Sequence, residues 1–159
     1  MEHISVSPAA QVEHWQSRAG IPIIYPAKLR EDGKSRGGMF ACAPNFGPVP
    51  KKPLWHKAQG LPQHGLLRLP SVIPVESVET DAKDGSFARA YHDEFGGTTA
   101  FPWRFNASIR YLYNASREQL IAQLAVTRRR DCVVPGHMPL SGGFHPFFVN
   151  DGEPFEISG

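Results

Sequence analysis

Fifteen prolines and fifteen glycines in 159 residues constrain this chain more than any other feature. Proline fixes φ and removes a backbone donor, and glycine favours tight turns. Spread along the chain, they cut it into short elements and disfavour long helices. An all-β fold with many turns follows, and the length suffices for one domain with its own core. No internal repeat and no low-complexity linker marks a boundary, so residues 1–159 read as a single domain.

Composition excludes several classes. A formal net charge of +2 is too small for a nucleic-acid surface, although seven histidines add charge below neutral pH. The basic run Arg128-Arg129-Arg130-Asp131 has no interleaved aromatics and reads as a solvated surface or loop. No apolar run approaches the ~20 residues of a membrane helix. Met1-Glu2-His3 is polar and unlike a signal peptide, so a cytoplasmic location is expected and the Asn106 and Asn114 glycosylation patterns are discounted. Cys42 and Cys132 lack metal-ligand spacing and are expected to be free, partly buried thiols in a reducing compartment. Phosphate-cradling, dinucleotide and zinc motifs are lacking in the sequence, so neither a cofactor nor a metal is expected.

Periodicity places the elements. Ile21 to Tyr25 is β-branched and predicts a short strand, with Pro22 suggesting an edge or a strand start. Lys28 to Arg36 is charged and holds the turn signal Asp32-Gly33. Met39 to Cys42 is a short apolar piece, and Pro44 to Pro62 reads as a long Pro-rich loop of the kind that is often functional. Val72 to Thr80 and Ser86 to His92 predict two strands joined around Asp84-Gly85, the second weak because Arg89 interrupts an aromatic face. Phe105, Ala107, Ile109, Tyr111 and Tyr113 give the cleanest alternation in the chain. Ser116 to Arg130 is evenly balanced. Ser116 with Gln119 resembles a helix capping box, whereas Leu120, Ala122, Leu124 and Val126 would share one face of a strand.

Three clusters carry candidate chemistry. In Arg36-Gly37-Gly38, paired glycines permit a tight turn or close ligand approach, and Arg36 offers a forked contact to an anion. The bland alternative is a solvated arginine beside a turn. In Leu61-Pro62-Gln63-His64-Gly65-Leu66-Leu67-Arg68, Gln63, His64 and Arg68 suit sugar hydroxyls and an anionic group, against the alternative of a polar surface turn. In Gly142-Gly143-Phe144-His145-Pro146-Phe147-Phe148, aromatics offer stacking for a sugar ring. Partial burial would hold His145 near neutral pKa for general acid work, against the alternative of a satisfied core histidine.

Read in order, these clusters resemble the aldose 1-epimerase family. Residues 61–68 are similar to that family's L-P-x-H-G-x-x-R, and residues 143–148 to its G-x-H-P-Y-F, with Phe147 where tyrosine is usual. Arg36-Gly37-Gly38 followed by Pro44-Asn45-Phe46-Gly47 resembles the hexose-6-phosphate 1-epimerase branch. The resemblance spans about residues 12 to 150. It implies an antiparallel β-sandwich of the supersandwich type and tips Ser116 to Arg130 towards strand. It also implies α/β anomer interconversion of a hexose or hexose phosphate. His145 matches the acid at the ring oxygen, His64 the histidine that assists sugar binding, and Arg36, Gln63 and Arg68 the substrate contacts, the two arginines on a phosphate.

The family's base is a Glu in the second half of a longer chain, preceded by an Asp that binds hydroxyls. This chain ends at Gly159, and Glu153 and Glu156 match neither role. The resemblance therefore implies the N-terminal portion of a mutarotase domain, an incomplete sandwich whose exposed sheet edges invite self-association. The alternatives are a non-catalytic carbohydrate-binding sandwich and a gene fragment.

Overall fold

A computed structural model describes residues 3–29, 35–49, 60–68, 73–80 and 84–150. The chain is all-β, with no helix among these residues. Two four-stranded antiparallel sheets carry the fold. The first contains β1 (Ile4–Val6), β2 (Val12–Trp15), β5 (Met39–Cys42) and β10 (Gly143–Pro146), hydrogen-bonded in that order. The second is a meander of β6 (Val75–Thr80), β7 (Phe87–Gly96), β8 (Arg104–Asn114) and β9 (Gln119–Arg128). A small ribbon pairs β3 (Lys28–Leu29) with β4 (Ser35–Arg36).

The sheets face each other across one apolar core. From β8 come Phe105, Ala107, Ile109, Tyr111 and Tyr113, all buried as their alternation predicts. Ile4, Val12, Met39 and Ala41 meet them from the first sheet. Two phenols stitch the layers together. Tyr111 donates to the Ala10 carbonyl at 2.8 Å and Tyr91 to the Ser7 carbonyl at 3.3 Å. Burial pushes the Tyr111 phenol far above its ordinary pKa, so it stays a neutral donor. Tyr111→Phe should leave the Ala10 carbonyl without this donor. The expected loss is about 1–2 kcal/mol, or roughly 3–6 °C in Tm, read by thermal unfolding.

Several elements differ from expectation. Ile21 to Tyr25 is not a strand. It makes isolated bridges only, Gln16 to Pro22 and Ile24 to Phe148, because Pro22 and Pro26 break the ladder while Ile21 and Tyr25 face solvent. The strand expected to end at His92 runs on to Gly96, and Arg89 fits its inward face by donating to the Val6 carbonyl and lying over the Phe87 ring. Ser116 to Arg130 is strand β9 as far as Arg128, paired with β8 from Asn114–Gln119 to Phe105–Arg128. The capping box does not form. Asn114 Oδ1 accepts from Arg117 N and from the Ser116 hydroxyl, closing a turn instead of a helix start.

The basic run is structural. Arg128 donates to the carbonyls of Cys132, Val134 and Gly136, and Arg129 pairs with Asp131 and Glu94. Cys42 and Cys132 are both free and buried. Of the expected Asp32-Gly33 turn and the Pro44–Pro62 loop, residues 30–34 and 50–59 lie outside the described residues. No helix of the described residues is long and apolar enough to cross a membrane.

Candidate functional site

Strand alternation decides which side chains reach the site. Strand β5 is buried on both faces, with Met39 and Ala41 in the sandwich core and Phe40 and Cys42 on the opposite face. Its neighbour β10 pairs Phe144 with Ala41 and His145 with Phe40. Phe144 therefore turns inward against Tyr111, at 5.9 Å between ring centroids, and His145 turns outward beside Phe40. The His145 and Phe40 rings are stacked at 5.2 Å and an interplanar angle of 5°.

Two loop segments fold over this outer face. Residues 43–49 lead away from β5, through a cis Ala43–Pro44 peptide, and residues 60–68 return along it. Ala43 and Gly65 form a parallel bridge, and the Ala43 carbonyl accepts from Leu66 N at 2.6 Å. Asn45, fully buried, ties the two segments together by donating to the Gly47 and Pro62 carbonyls at 2.6 and 3.0 Å. Gly65 has φ +78°, and a Cβ there would fall far inside contact distance of the Ala43 carbonyl oxygen, so only glycine fits. His64 itself has φ +70°, a left-handed conformation that is costly for a side-chain-bearing residue and is found where surroundings enforce it.

The outcome is a cluster of two histidines and three phenylalanines. His64 and His145 meet edge to face, 4.9 Å between centroids and 78° between planes. Phe46 and Phe147 flank His145 at 5.9 and 4.8 Å. The Arg68 guanidinium lies 4.3 Å over the Phe40 ring, a cation–π contact. His64 is 9 % exposed and its Nδ1 lies 2.5 Å from the Phe46 carbonyl oxygen. A carbonyl can only accept, so Nδ1 of His64 carries the proton. In the neutral ring, Nε2 then holds the free lone pair.

His145 is half-buried, and its Nδ1 finds no hydrogen-bond partner among the described residues. Burial, the neighbouring His64 and the Arg68 charge together hold its pKa below the usual histidine value, against a smaller opposing pull from its own backbone. Beneath the loops, burial pushes the Cys42 thiol up to about 11 despite Arg68, so it is a neutral, unreactive filler.

The lowered pKa has a consequence for stability. Below about pH 6.5 the unfolded chain takes up a proton at His145 that the folded protein resists. Stability from this group is therefore present at higher pH and declines as pH falls from about 6.5 through the folded value. Urea unfolding of wild type and His145→Phe at pH 5 and pH 8 should show the smaller acid-side loss in the variant. Equal losses would remove this origin for the effect.

Of the residues singled out in sequence, His64, His145 and Arg68 come together. Arg36 sits at the end of β4 and lines an adjoining groove that shares Phe147 with the cluster. Gln63 is exposed. Phe40 and Phe46 were missed as site residues. The detectable signal was the non-alternating run Met39-Phe40-Ala41-Cys42, which implies a strand covered on both faces. Among the described residues no group of three His, Cys, Asp or Glu is placed to hold a metal ion. Neither histidine is ion-paired to a carboxylate there, and Glu153 and Glu156 lie outside the described residues. The arrangement places partly exposed aromatic rings, those of Phe46 and Phe147, beside two imidazoles, a group type able to take up and release protons. No family model, curated protein or solved structure matches the chain.

Proposed function

We propose that this protein interconverts the α and β anomers of an aldose, a hexose phosphate, at the His64–His145 pair. The observation that carries this reading is the 4.9 Å edge-to-face contact of two imidazoles inside an aromatic, partly dehydrated cluster. Mutarotation requires a proton taken from the C1 hydroxyl and a proton given to the ring oxygen, as the C1–ring oxygen bond breaks. The open aldehyde then rotates about C1–C2 and recloses on its other face with the proton transfers reversed.

In this reading His145, as imidazolium, donates to the ring oxygen. The acceptor offered by the described residues is Nε2 of His64, since Nδ1 is committed to the Phe46 carbonyl. One proton shared by the pair is the working state, so activity should fall both when the pair is fully protonated and when it is fully deprotonated. Arg68 lies beside the pair, Arg36 and the exposed Gln63 would meet the outer part of the substrate, and no cofactor enters the chemistry.

A sugar-binding module without turnover has one observation on its side. Among the described residues no carboxylate pairs with either histidine to act as a stronger base. Exchange NMR on glucose 6-phosphate at anomeric equilibrium separates the two. The enzyme reading expects acceleration proportional to protein concentration. Saturable binding with no acceleration would establish the module reading instead.

A further inference from the structure

The ribbon β3–β4 places Lys28 directly opposite Arg36. Side chains of directly opposed residues project to the same face, with Cβ atoms about 5 Å apart, and like charges so placed destabilise a ribbon. Among the described residues neither cation is paired with a carboxylate. Both line one groove of about 420 Å³, together with Tyr25, Pro26, Gly37 and Phe147.

The groove has a fixed frame. Tyr25 N donates to the Phe147 carbonyl at 2.8 Å, Gly38 N to the Tyr25 carbonyl at 2.7 Å and Phe147 N to the Gly38 carbonyl at 3.0 Å. Gly37 has φ +90°, and a Cβ there would stand 2.5 Å from the Pro26 carbonyl oxygen, so the ribbon lies tight against that wall. Phe147 is shared with the histidine cluster, its ring 4.8 Å from that of His145. The groove is therefore next to the proposed chemistry, and two cations with no carboxylate partner among the described residues line it.

We propose that Lys28 and Arg36 together seat the phosphate monoester of the substrate in this groove, which makes Lys28 a substrate-binding residue. The proposal rests on the hexose-phosphate reading for the identity of the sugar, but not for anion binding itself. A phosphate dianion between the two side chains relieves their mutual repulsion. Arg36 offers a forked contact and Lys28 a point charge, and the Tyr25 and Phe147 rings flank the carbon chain that joins the phosphate to the sugar. Arg68, which the family resemblance places with Arg36 on the phosphate, lies instead over Phe40 beside the histidines, suited to the ring end of the substrate.

The test uses Lys28→Gln, which removes the charge at an exposed position, and Lys28→Arg, which restores it. Binding of inorganic phosphate and of glucose 6-phosphate is measured by calorimetry at low and high salt, alongside glucose as an uncharged control. Lys28→Gln should weaken both phosphate ligands by ~10-fold or more, with a shallower salt dependence. Glucose should be unaffected, and Lys28→Arg should recover most of the affinity. Phosphate binding that is unchanged in Lys28→Gln overturns the proposal, as does equal weakening of glucose and glucose 6-phosphate. Lys28-dependent phosphate binding without anomer exchange supports the seat and removes the mutarotase reading. Exchange with no preference for the phosphorylated sugar does the reverse.

Discussion

His145→Asn is expected to lower kcat/KM for anomer interconversion of glucose 6-phosphate by about 10²–10⁴-fold, the usual contribution of a positioned general acid. Asparagine keeps a polar side chain of similar reach on β10 but cannot carry a transferable proton. The fold should tolerate it, because His145 is half-buried on the outer face and the core contact of β10 comes from Phe144. Sugar binding should change by only a few-fold, since the partly exposed rings of Phe46 and Phe147 remain. The wild-type pH profile carries a second signature. His145 titrates below the usual histidine value, so its proton-donating form is the minority at pH 7 and grows as pH falls. Exchange should therefore quicken as pH drops from 8 towards 6. A variant as fast as wild type, or a wild-type rate flat from pH 5 to pH 8, would remove His145 as the acid.

The sequence exposes those parts of the fold that alternation alone determines. Phe105 to Tyr113 is buried at every second residue because β8 lies inside its sheet with one face on the core. Ser116 to Arg130 was ambiguous, because its local propensities satisfy a helix and a strand alike. Pairing with β8 resolves it, and pairing is a long-range property. The site follows the same division. His64, His145 and Arg68 stand out as polar residues among glycines and aromatics. That they share one face depends on the β5–β10 register, which pairs His145 with Phe40. One residue of slip would send His145 into the core and Phe144 to the surface. Lys28 was unassigned for a similar reason: it opens the charged stretch that ends at Arg36, but only the ribbon register sets it opposite that arginine.

Gly65→Ala should cost about 3 kcal/mol or more and take the histidine pair with it, although it adds one methyl group far from any reacting atom. The φ of +78° is unfavourable for alanine, and the new Cβ would collide with the Ala43 carbonyl oxygen. That oxygen cannot move aside cheaply. It accepts from Leu66 N at 2.6 Å, and Ala43 follows directly on β5 with no exposed surface. Relief must come from lifting residues 60–68, which carry His64 and Arg68 off the outer face. The Nδ1 contact to Phe46 would open, freeing the His64 tautomer, and Cys42 and Phe40 would gain solvent. Two measurements follow. Urea unfolding should show a midpoint well below wild type, and the normally inert Cys42 thiol should react with a thiol reagent under native conditions, faster than in wild type. Partial retention of stability with loss of anomer exchange would mean that the loop detaches locally. Wild-type stability with a protected thiol would mean that residues 60–68 are not held against β5 as described.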